Sequence, residues 1–324
     1  MKVLVTGSNG FVGSHIVEEL LQNGHSVVCQ VRKTSNLRWL KTLNVEYFYG
    51  DVRDEKSISE MVKGVDAIVH NAAVVRALKK ESYYEVNQIA TKNIIQAILK
   101  YNPNLKKIIF ISSQAAMGPC KNLTPKKIGE CENPVSDYGC SKLEGEKELK
   151  SLNAKIPYTI LRPASVYGPR DKDFLIFFKL IKLGLVLNPF KKRYLQLLFV
   201  KDLALAAVKS LENKLTDYKT YFLAEAKPYL WKDVGKTIAE AVSRKTYILP
   251  LPDIFLRLVS FISELFSRFS GAPAVINKQK LDEMTQCFWV GDTSEFTKDC
   301  GMGFTNLKIG AKITYNWYKD NHWF

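Results

Sequence analysis

Metal-binding and disulfide-forming residues are scarce in this sequence of 324 residues. It contains four histidines and six cysteines, and no two cysteines form a Cys-x-x-Cys pair. We therefore expect neither a structural zinc site nor any other bound metal. A chain of this length buries enough apolar surface to fold without disulfide bonds, so reduced thiols and a cytoplasmic location are the default expectation.

Long uninterrupted apolar runs are also missing. The longest apolar helical stretch covers residues 254–269, which is shorter than a membrane span and carries Arg257, Glu264 and Arg268. Two interpretations stay open. The stretch is either a core helix of a substrate domain, or an amphipathic helix lying peripherally on the inner face of a membrane, near a lipid-like substrate. We expect no signal peptide, because residues 2–5 already predict the first strand.

Acidic residues are outnumbered, with 32 Asp and Glu against 47 Lys and Arg, which gives a formal charge of +15. Basic runs that are long and interleaved with aromatic residues are missing, so we expect no nucleic-acid partner. The charge leaves three alternatives: a lysine-rich but ordinary enzyme surface, an anionic membrane, or a small phosphorylated ligand.

What the sequence does contain is a regular alternation of strand and helix patterns. Short apolar runs separated by helix-length segments lie at 3–5, 26–31, 45–49, 66–70, 107–112 and 158–162. This order predicts an α/β fold with a Rossmann-type, doubly wound parallel sheet. The sequence texture changes after residue 170. We therefore predict a dinucleotide-binding domain over 1–170, to which 195–225 return, and a smaller, mainly substrate-binding domain over 171–324.

A glycine-rich loop follows the first predicted strand and opens a helix, and its glycines are Gly7, Gly10 and Gly13. In this context Gly7 permits a tight turn, Gly10 lets backbone amides approach a pyrophosphate, and Gly13 allows close packing of helix on strand. The helix N-terminus adds amide donors and a partial positive charge. The loop predicts a dinucleotide cofactor, and a glycine turn without a ligand is the alternative.

The end of the second strand bears on the choice of cofactor. Sites that prefer NAD usually carry an acid there, about 20 residues past the glycines, to bind the ribose hydroxyls. Here Arg32 and Lys33 occupy the place, and no Asp or Glu occurs between Glu19 and Glu46. These cations suit a 2′-phosphate, so we favour NADP(H). The alternative is NAD(H) bound through backbone contacts.

A phenol and an ammonium lie four residues apart, at Tyr138 and Lys142, and so share one face of a predicted helix. The ordinary pKa of a phenol is about 10, and a nearby ammonium together with an oxidised nicotinamide favours the phenolate. Tyr138 can then exchange a proton with a substrate oxygen, while Lys142 also bonds the nicotinamide ribose. A hydroxyl from Ser112 or Ser113, at the end of the fifth strand, would hold the reacting oxygen.

Taken in order, these motifs resemble those of extended short-chain dehydrogenase/reductases, in the NAD-dependent epimerase/dehydratase group. The matching segments cover roughly the first half of the chain and lie at 6–13, 50–52, 70–73, 112–116, 138–142 and 161–170. The resemblance implies a nicotinamide-dependent oxidoreductase. It also implies a homodimer paired through the two long helices of the family.

The resemblance assigns roles to residues of this chain. Ser113, rather than Ser112, aligns with the family's catalytic hydroxyl and joins Tyr138 and Lys142. Asn87 would help to fix the active-site backbone. The residues that we expect at the cofactor are Gly7, Asn9, Gly10, Phe11, Val12, Gly13, Arg32, Lys33, Asp51, Val52, Ala72, Ala73, Asn87, Lys142, Pro163 and Val166.

Several of these positions have a specific place along the cofactor. Asp51 and Val52 would hold the adenine. Ala72 and Ala73 would line the dinucleotide channel, and residues 163–166 would flank the nicotinamide.

The substrate side departs from the sugar-nucleotide epimerases of the group. Those enzymes usually place a Gly-Asp-Gly turn and an Arg-Asp pair before the return helix, whereas residues 188–197 here contain neither. The chain is more similar to the dihydroflavonol-reductase and 3β-hydroxysteroid-dehydrogenase branches. That similarity implies redox between a carbonyl and an alcohol on a bulky, fairly apolar small molecule. An epimerase or dehydratase with tightly bound NAD, and a catalytically silent dinucleotide sensor, are the alternatives.

Overall fold

The computed structural model describes residues 1–270, 274 and 277–324, apart from the side chains at 266 and 268–270. The strands are β1 (Lys2–Thr6), β2 (Ser26–Val31), β3 (Glu46–Tyr49), β4 (Ala67–His70), β5 (Lys107–Ile111), β6 (Tyr158–Pro163), β7 (Ser165–Tyr167), β8 (Leu185–Pro189), β9 (Tyr194–Leu195), β10 (Leu197–Phe199), β11 (Lys219–Leu223), β12 (Tyr229–Leu230), β13 (Tyr247–Leu251) and β14 (Phe288–Trp289).

The helices complete the element list. They are α1 (Phe11–Gln22), α2 (Glu55–Met61), α3 (Glu81–Tyr84), α4 (Ala90–Tyr101), α5 (Asp137–Lys150), α6 (Leu175–Lys182), α7 (Val200–Glu212), α8 (Trp231–Ala241), α9 (Asp253–Ser270), α10 (Lys278–Thr285), α11 (Ser294–Cys300) and α12 (Leu307–Asp320). A π-helical turn (Glu85–Ile89) joins α3 to α4.

The central sheet has the strand order β11-β6-β5-β4-β1-β2-β3, and its strands pair in parallel throughout. Alternate residues supply two cores, one on each face. Val3 and Val5 pack with residues of α1 and α7, whereas Leu4 packs with residues of α2 and α4. Such strands are apolar on both sides because helices cover both faces of the sheet. The predicted α/β, Rossmann-type fold class is confirmed.

The substrate-side region has its own small core and short strand pairs. Tyr167, Phe178 and Tyr318 are among its buried residues. Strand β13 pairs in parallel with β8, and β9 lies between β12 and β14. Within the described residues, every helix is too short or too polar to cross a membrane.

The helical segment from Glu81 to Tyr101 is not one regular helix. Its first part contains the π-helical turn, in which one extra residue is accommodated. Such turns often occur at functional sites because they redirect side chains without ending the helix. Here the turn carries Asn87, so the interruption is centred on a residue expected at the site.

Candidate active site

The glycine loop lies between β1 and α1, and its backbone leaves no room for a side chain at Gly7 or Gly13. Gly7 has a φ of +64°, and a Cβ there would lie 2.9 Å from the Cα of Ala72. A Cβ at Gly13 would clash with the Gly7 carbonyl. Gly10 is the N-cap of α1 and gives it no side-chain cap. The first amides of α1 are therefore left for an anion, as a pyrophosphate site requires.

The other predicted loop residues lie beside these glycines. Asn9 donates to the Asn36 carbonyl over 3.4 Å. The ring of Phe11 packs edge-on against His15, and Val12 packs against the core on the α1 side of the sheet.

Thr6 ties the ends of β1 and β4 together at the carboxyl edge of the sheet. Its hydroxyl accepts from the backbone amides of Asn71 and Ala72, over 3.1 and 3.0 Å, and lies 2.8 Å from His70 Nδ1. Burial lowers the pKa of His70 to about 3, so its ring is neutral. Ala72 and Ala73, expected along the dinucleotide channel, follow this fixed point, with Ala73 exposed.

Gln30 organises the adenine side of the site, and the sequence patterns did not single it out. Its amide group accepts from the Gly7 amide over 3.2 Å and donates to the Gly50 carbonyl over 2.6 Å. It thereby joins the glycine loop to the end of β3, although it is buried at 5% exposure. Glutamine in an otherwise apolar strand was the available signal, since buried polar groups need partners.

The four residues expected near the adenine and its ribose differ in exposure. Arg32 and Lys33 are exposed at the end of β2. Asp51 is partly exposed, and hydrogen bonds from Arg53 lower the pKa of its carboxyl. Val52 is buried in the core, so its side chain packs against the protein interior rather than facing solvent.

The three predicted catalytic residues come together at the carboxyl end of β5. Ser113 follows that strand, while Tyr138 and Lys142 lie one turn apart on α5. Gly139 makes this approach feasible, because a Cβ there would lie 2.5 Å from the Ala115 carbonyl oxygen. Their catalytic roles stay predictions.

The protein environment alone does not favour phenolate. Burial raises the pKa of Tyr138 to about 12, and a hydrogen bond with Ser113 opposes that rise. Lys142 is 1% exposed, and its Nζ donates to the Ile111 carbonyl over 2.7 Å. Burial lowers the pKa of Lys142 to about 7, against the attraction of Glu146. A bound oxidised nicotinamide would add the positive charge that favours phenolate.

Asn87 holds backbone in place. Its amide oxygen accepts from Val74 N over 2.9 Å, and its amide nitrogen donates to Val74 O and to Ser141 Oγ over 3.0 and 2.9 Å. The side chain therefore links the segment after β4 to the catalytic helix. At 1% exposure it contacts protein atoms rather than facing the space for a cofactor.

A buried ion pair joins the catalytic helix α5 to strand β6. The sequence patterns did not predict it. Arg162 binds Glu146 through two hydrogen bonds of 2.9 and 2.6 Å, and both side chains are almost fully buried. Ser112 donates to the same carboxylate over 2.5 Å. Since this engages the Ser112 hydroxyl, Ser113 is the serine left to face a substrate.

The remaining predicted cofactor residues lie beyond β6. Pro163 ends that strand and is buried, and Val166 is partly exposed in β7. In the substrate-side region, the ring of Phe177 packs on Trp231. Arg193 binds Asp253 over 2.6 Å. Its Nε and Nη1 atoms are buried without a hydrogen-bond partner among the described residues.

These features suit a nicotinamide dinucleotide laid across the carboxyl edge of the sheet. The uncapped N-terminus of α1 would bind the pyrophosphate. Lys142 and Tyr138 both lie at this carboxyl edge of the sheet. When bound, such a cofactor supplies hydride transfer. Among the described residues, no group of His, Cys, Asp or Glu side chains is arranged to hold a metal ion.

Known proteins match this chain along most of its length. It is 24% identical over 322 residues to a ceramide reductase of Caulobacter vibrioides, covering 99% of this chain and 95% of that protein. It is 28% identical over 292 residues to a UDP-glucose 4-epimerase of Vibrio cholerae, covering 85% and 84%. A crystal structure of the Thermus thermophilus UDP-glucose 4-epimerase in complex with NAD superposes with a TM-score of 0.77, at 21% identity, covering 98% of this chain and 99% of that one.

The fold likeness places the glycine loop and the α5 residues in a known architecture. A model of the NAD dependent epimerase/dehydratase family matches residues 3–224, which include the glycine loop, Ser113, Tyr138 and Lys142. The chain belongs to the NAD dependent epimerase/dehydratase family and is an enzyme of the oxidoreductase type.

Proposed function

We propose that this enzyme interconverts a carbonyl and an alcohol on a bulky, fairly apolar substrate, with net consumption of a nicotinamide cofactor. The observation that carries the proposal lies just before α7. Residues 188–197 contain neither the Gly-Asp-Gly turn nor the Arg-Asp pair usual in sugar-nucleotide epimerases, and Leu195 and Gln196 are uncharged. Gln196 is 2% exposed and is engaged by the Gly291 amide and the Ala226 carbonyl. Neither side chain is available as a charged contact for a nucleotide diphosphate.

Two further points support this choice. The full-length relative from Caulobacter is named for reduction of a ceramide, which is a lipid. A second relative, over about half of the chain, is a 2-alkyl-3-oxoalkanoate reductase of Stenotrophomonas maltophilia. In this chain the substrate side adds aromatic surface from Phe177 and Trp231.

In the proposed reaction Tyr138 transfers the proton and Ser113 orients the substrate oxygen. Lys142 binds the nicotinamide ribose and, when charged, favours the phenolate of Tyr138. Asn87 ties α5 to the segment after β4, and the ion pair of Arg162 with Glu146 ties α5 to β6.

A nucleotide-sugar epimerase is the second candidate, and Arg193 favours it. Its buried guanidinium pairs with Asp253 through Nη2, and its Nε and Nη1 atoms, which have no partner among the described residues, are suited to an anionic substrate group. The two candidates differ in cofactor turnover, because an epimerase returns the hydride and leaves NAD unchanged.

The deciding experiment follows nicotinamide absorbance with two substrate panels. Long-chain and polycyclic ketones and alcohols form one panel, and UDP-sugars form the other. We expect stoichiometric cofactor turnover with a member of the first panel. Epimerised UDP-sugar without net cofactor turnover would overturn the proposal in favour of the second candidate.

We further propose that the enzyme prefers NADP(H), with NAD(H) as the alternative. Arg32 is exposed at the end of β2, and in the described part of the chain it forms no ion pair. Its guanidinium is thus available for a 2′-phosphate. We also propose the homodimer that the family resemblance implies, paired through the α4 and α5 region.

A further inference from the structure

Helix α9 turns its apolar side away from the protein. Its buried side chains include Leu256, Ser260 and Ser267, at 7%, 4% and 6% exposure. Its exposed apolar side chains, at 43–67% exposure, are Ile254, Phe255, Leu258, Val259, Phe261, Ile262 and Leu265. At 100° per residue these seven form one broad arc opposite the buried serines.

This arrangement is the reverse of an ordinary surface helix, which packs its apolar stripe against the core. The helix is therefore not the core helix that was one interpretation of the sequence. A contiguous exposed apolar patch of this kind marks an interaction site in a water-soluble domain.

Segments that precede α9 or pair with its leading strand also expose apolar side chains. Tyr247, Ile248 and Leu249 of β13, which leads into α9, are 80%, 41% and 41% exposed. Leu183 and Phe190, at either end of the paired strand β8, are 75% and 66% exposed. We call this set, together with the exposed side of α9, the apolar platform.

Basic residues surround the apolar platform. Segments 175–193 and 244–265 contain eight Lys or Arg residues and two acids. Both acids are engaged: Asp253 accepts from Arg193, and Glu264 accepts from the Lys278 amide. Lys191, Lys192 and Arg257 are exposed, so the rim of the platform is positive.

We propose that the apolar platform docks this enzyme on an anionic lipid bilayer, with α9 lying in the interface. An amphipathic helix with aromatic and aliphatic residues on one side and a basic rim is the form that binds such a surface. A second copy of the chain is a poorer occupant, because two positive rims would meet. The homodimer we expect also uses α4 and α5.

The platform adjoins the candidate active site through α10. Helix α10 packs beside α9, and its Glu283 accepts from Ser136, the N-cap of the catalytic helix, over 2.5 Å. Gln279 of α10 also accepts from the Asp137 amide over 2.9 Å. A bilayer under α9 would thus lie close to Tyr138. This link to an apolar substrate, unlike the docking itself, rests on the proposed function.

Vesicle cosedimentation tests the docking independently of any activity. The vesicles contain phosphatidylcholine alone or with phosphatidylglycerol. The test variant is Leu258→Glu with Ile262→Glu on α9. The control is Ile309→Glu with Ile313→Glu on α12, which has the same spacing and similar exposure, 53% and 40% against 51% and 43%. Thermal melts check that both variants stay folded.

We expect the unmodified protein and the α12 control to pellet with anionic vesicles at low salt and less at high salt. The α9 variant should bind about tenfold more weakly or worse. Equal binding by the α9 variant, or no binding by the unmodified protein, would overturn the proposal. So would a dimer that the α9 variant alone converts to monomer, because the platform would then be an interface between copies. Failure of the substrate panels would leave the vesicle result unaffected.

Discussion

The cofactor side and the substrate side of this molecule treat polar and apolar groups differently. On the cofactor side, buried polar side chains such as Thr6, Gln30 and Asn87 are paired across elements. On the substrate side, Arg193 and Trp231 keep buried N–H groups without a partner in the described structure, and α9 exposes its apolar side.

The contrast follows from what each side must do. Hydride transfer requires the nicotinamide dinucleotide to be held in one geometry, so hydrogen bonds between elements, such as those of Thr6, Gln30 and Asn87, are favoured where it binds. A substrate or membrane supplies its own contacts, so unpaired donors and exposed apolar surface are tolerable where it binds. Substitutions on the cofactor side should therefore lower activity or stability more than substitutions on the substrate side.

Replacing Tyr138 by Phe should have the largest effect on activity. The change keeps the ring but removes the exchangeable proton, so turnover should fall by roughly 10²–10⁴ with little change in melting temperature. The control is Tyr84→Phe, on the neighbouring helix α3, and its turnover should stay close to that of the unmodified protein. Near-normal turnover by Tyr138→Phe would place the chemistry elsewhere.

Removing the buried carboxylate under the site should cost the most stability. Glu146→Gln removes the fully buried carboxylate that pairs with Arg162 and leaves only the partly exposed Glu132, 2.7 Å from Arg162 Nη2, as a charge partner. We expect a loss of about 3 kcal/mol in unfolding free energy. Glu144→Gln on the same helix breaks a surface pair with Lys147 and should cost less than about 1 kcal/mol. Denaturant titration measures both, and equal losses would refute a special role for the buried pair.

Lys142 should make stability depend on pH. Its pKa is about 7 in the folded protein against 10.5 ordinarily, so between these values the unfolded chain binds the extra proton. Stability from this group therefore rises with pH from about 7 to 10.5, by about 1.4 kcal/mol per unit.

Lys142→Met should remove this rise of stability with pH and should abolish turnover. The control Lys147→Met, at an exposed position, should keep the pH dependence and the turnover. Urea unfolding at several pH values checks this prediction. Parallel curves for the unmodified protein and Lys142→Met would mean that the buried ammonium is not held at a lowered pKa.

Cofactor choice should shift moderately when Arg32 becomes Asp. Loss of a charge-assisted contact to the 2′-phosphate should weaken NADPH binding by ~1.5–3 kcal/mol. Calorimetric titration of both cofactors is the measurement, with Arg38→Asp as a nearby exposed control. NAD(H) binding as tight as NADP(H) binding by the unmodified protein would refute the preference.

The smallest effect is expected on the substrate side. Trp231→Phe removes a buried N–H that has no partner in the described residues, which offsets part of the packing lost against Phe177. The unfolding free energy should therefore fall by no more than about 1–2 kcal/mol. A loss comparable with that of Glu146→Gln would break the contrast between the two sides.

The sequence by itself determined the fold class, the glycine loop and the positions of Ser113, Tyr138 and Lys142. It could do so because these features are local. Residues close together in the sequence set the periods of strands and helices and the turn that only glycine fits. They also place two side chains one helical turn apart. The division into domains, the cofactor preference and the homodimer remain predictions.

Only the tertiary structure decided which polar residues support the site and which side of α9 is exposed. Glu146 meets Arg162, and Gln30 meets Gly50, through contacts between elements distant in sequence. Residues 254–269 predict an amphipathic helix from their spacing alone. Whether its apolar side faces a core or solvent depends on what packs against it, and here serines face the protein. Periodicity fixes the faces of a helix, but the neighbouring elements decide which face is buried.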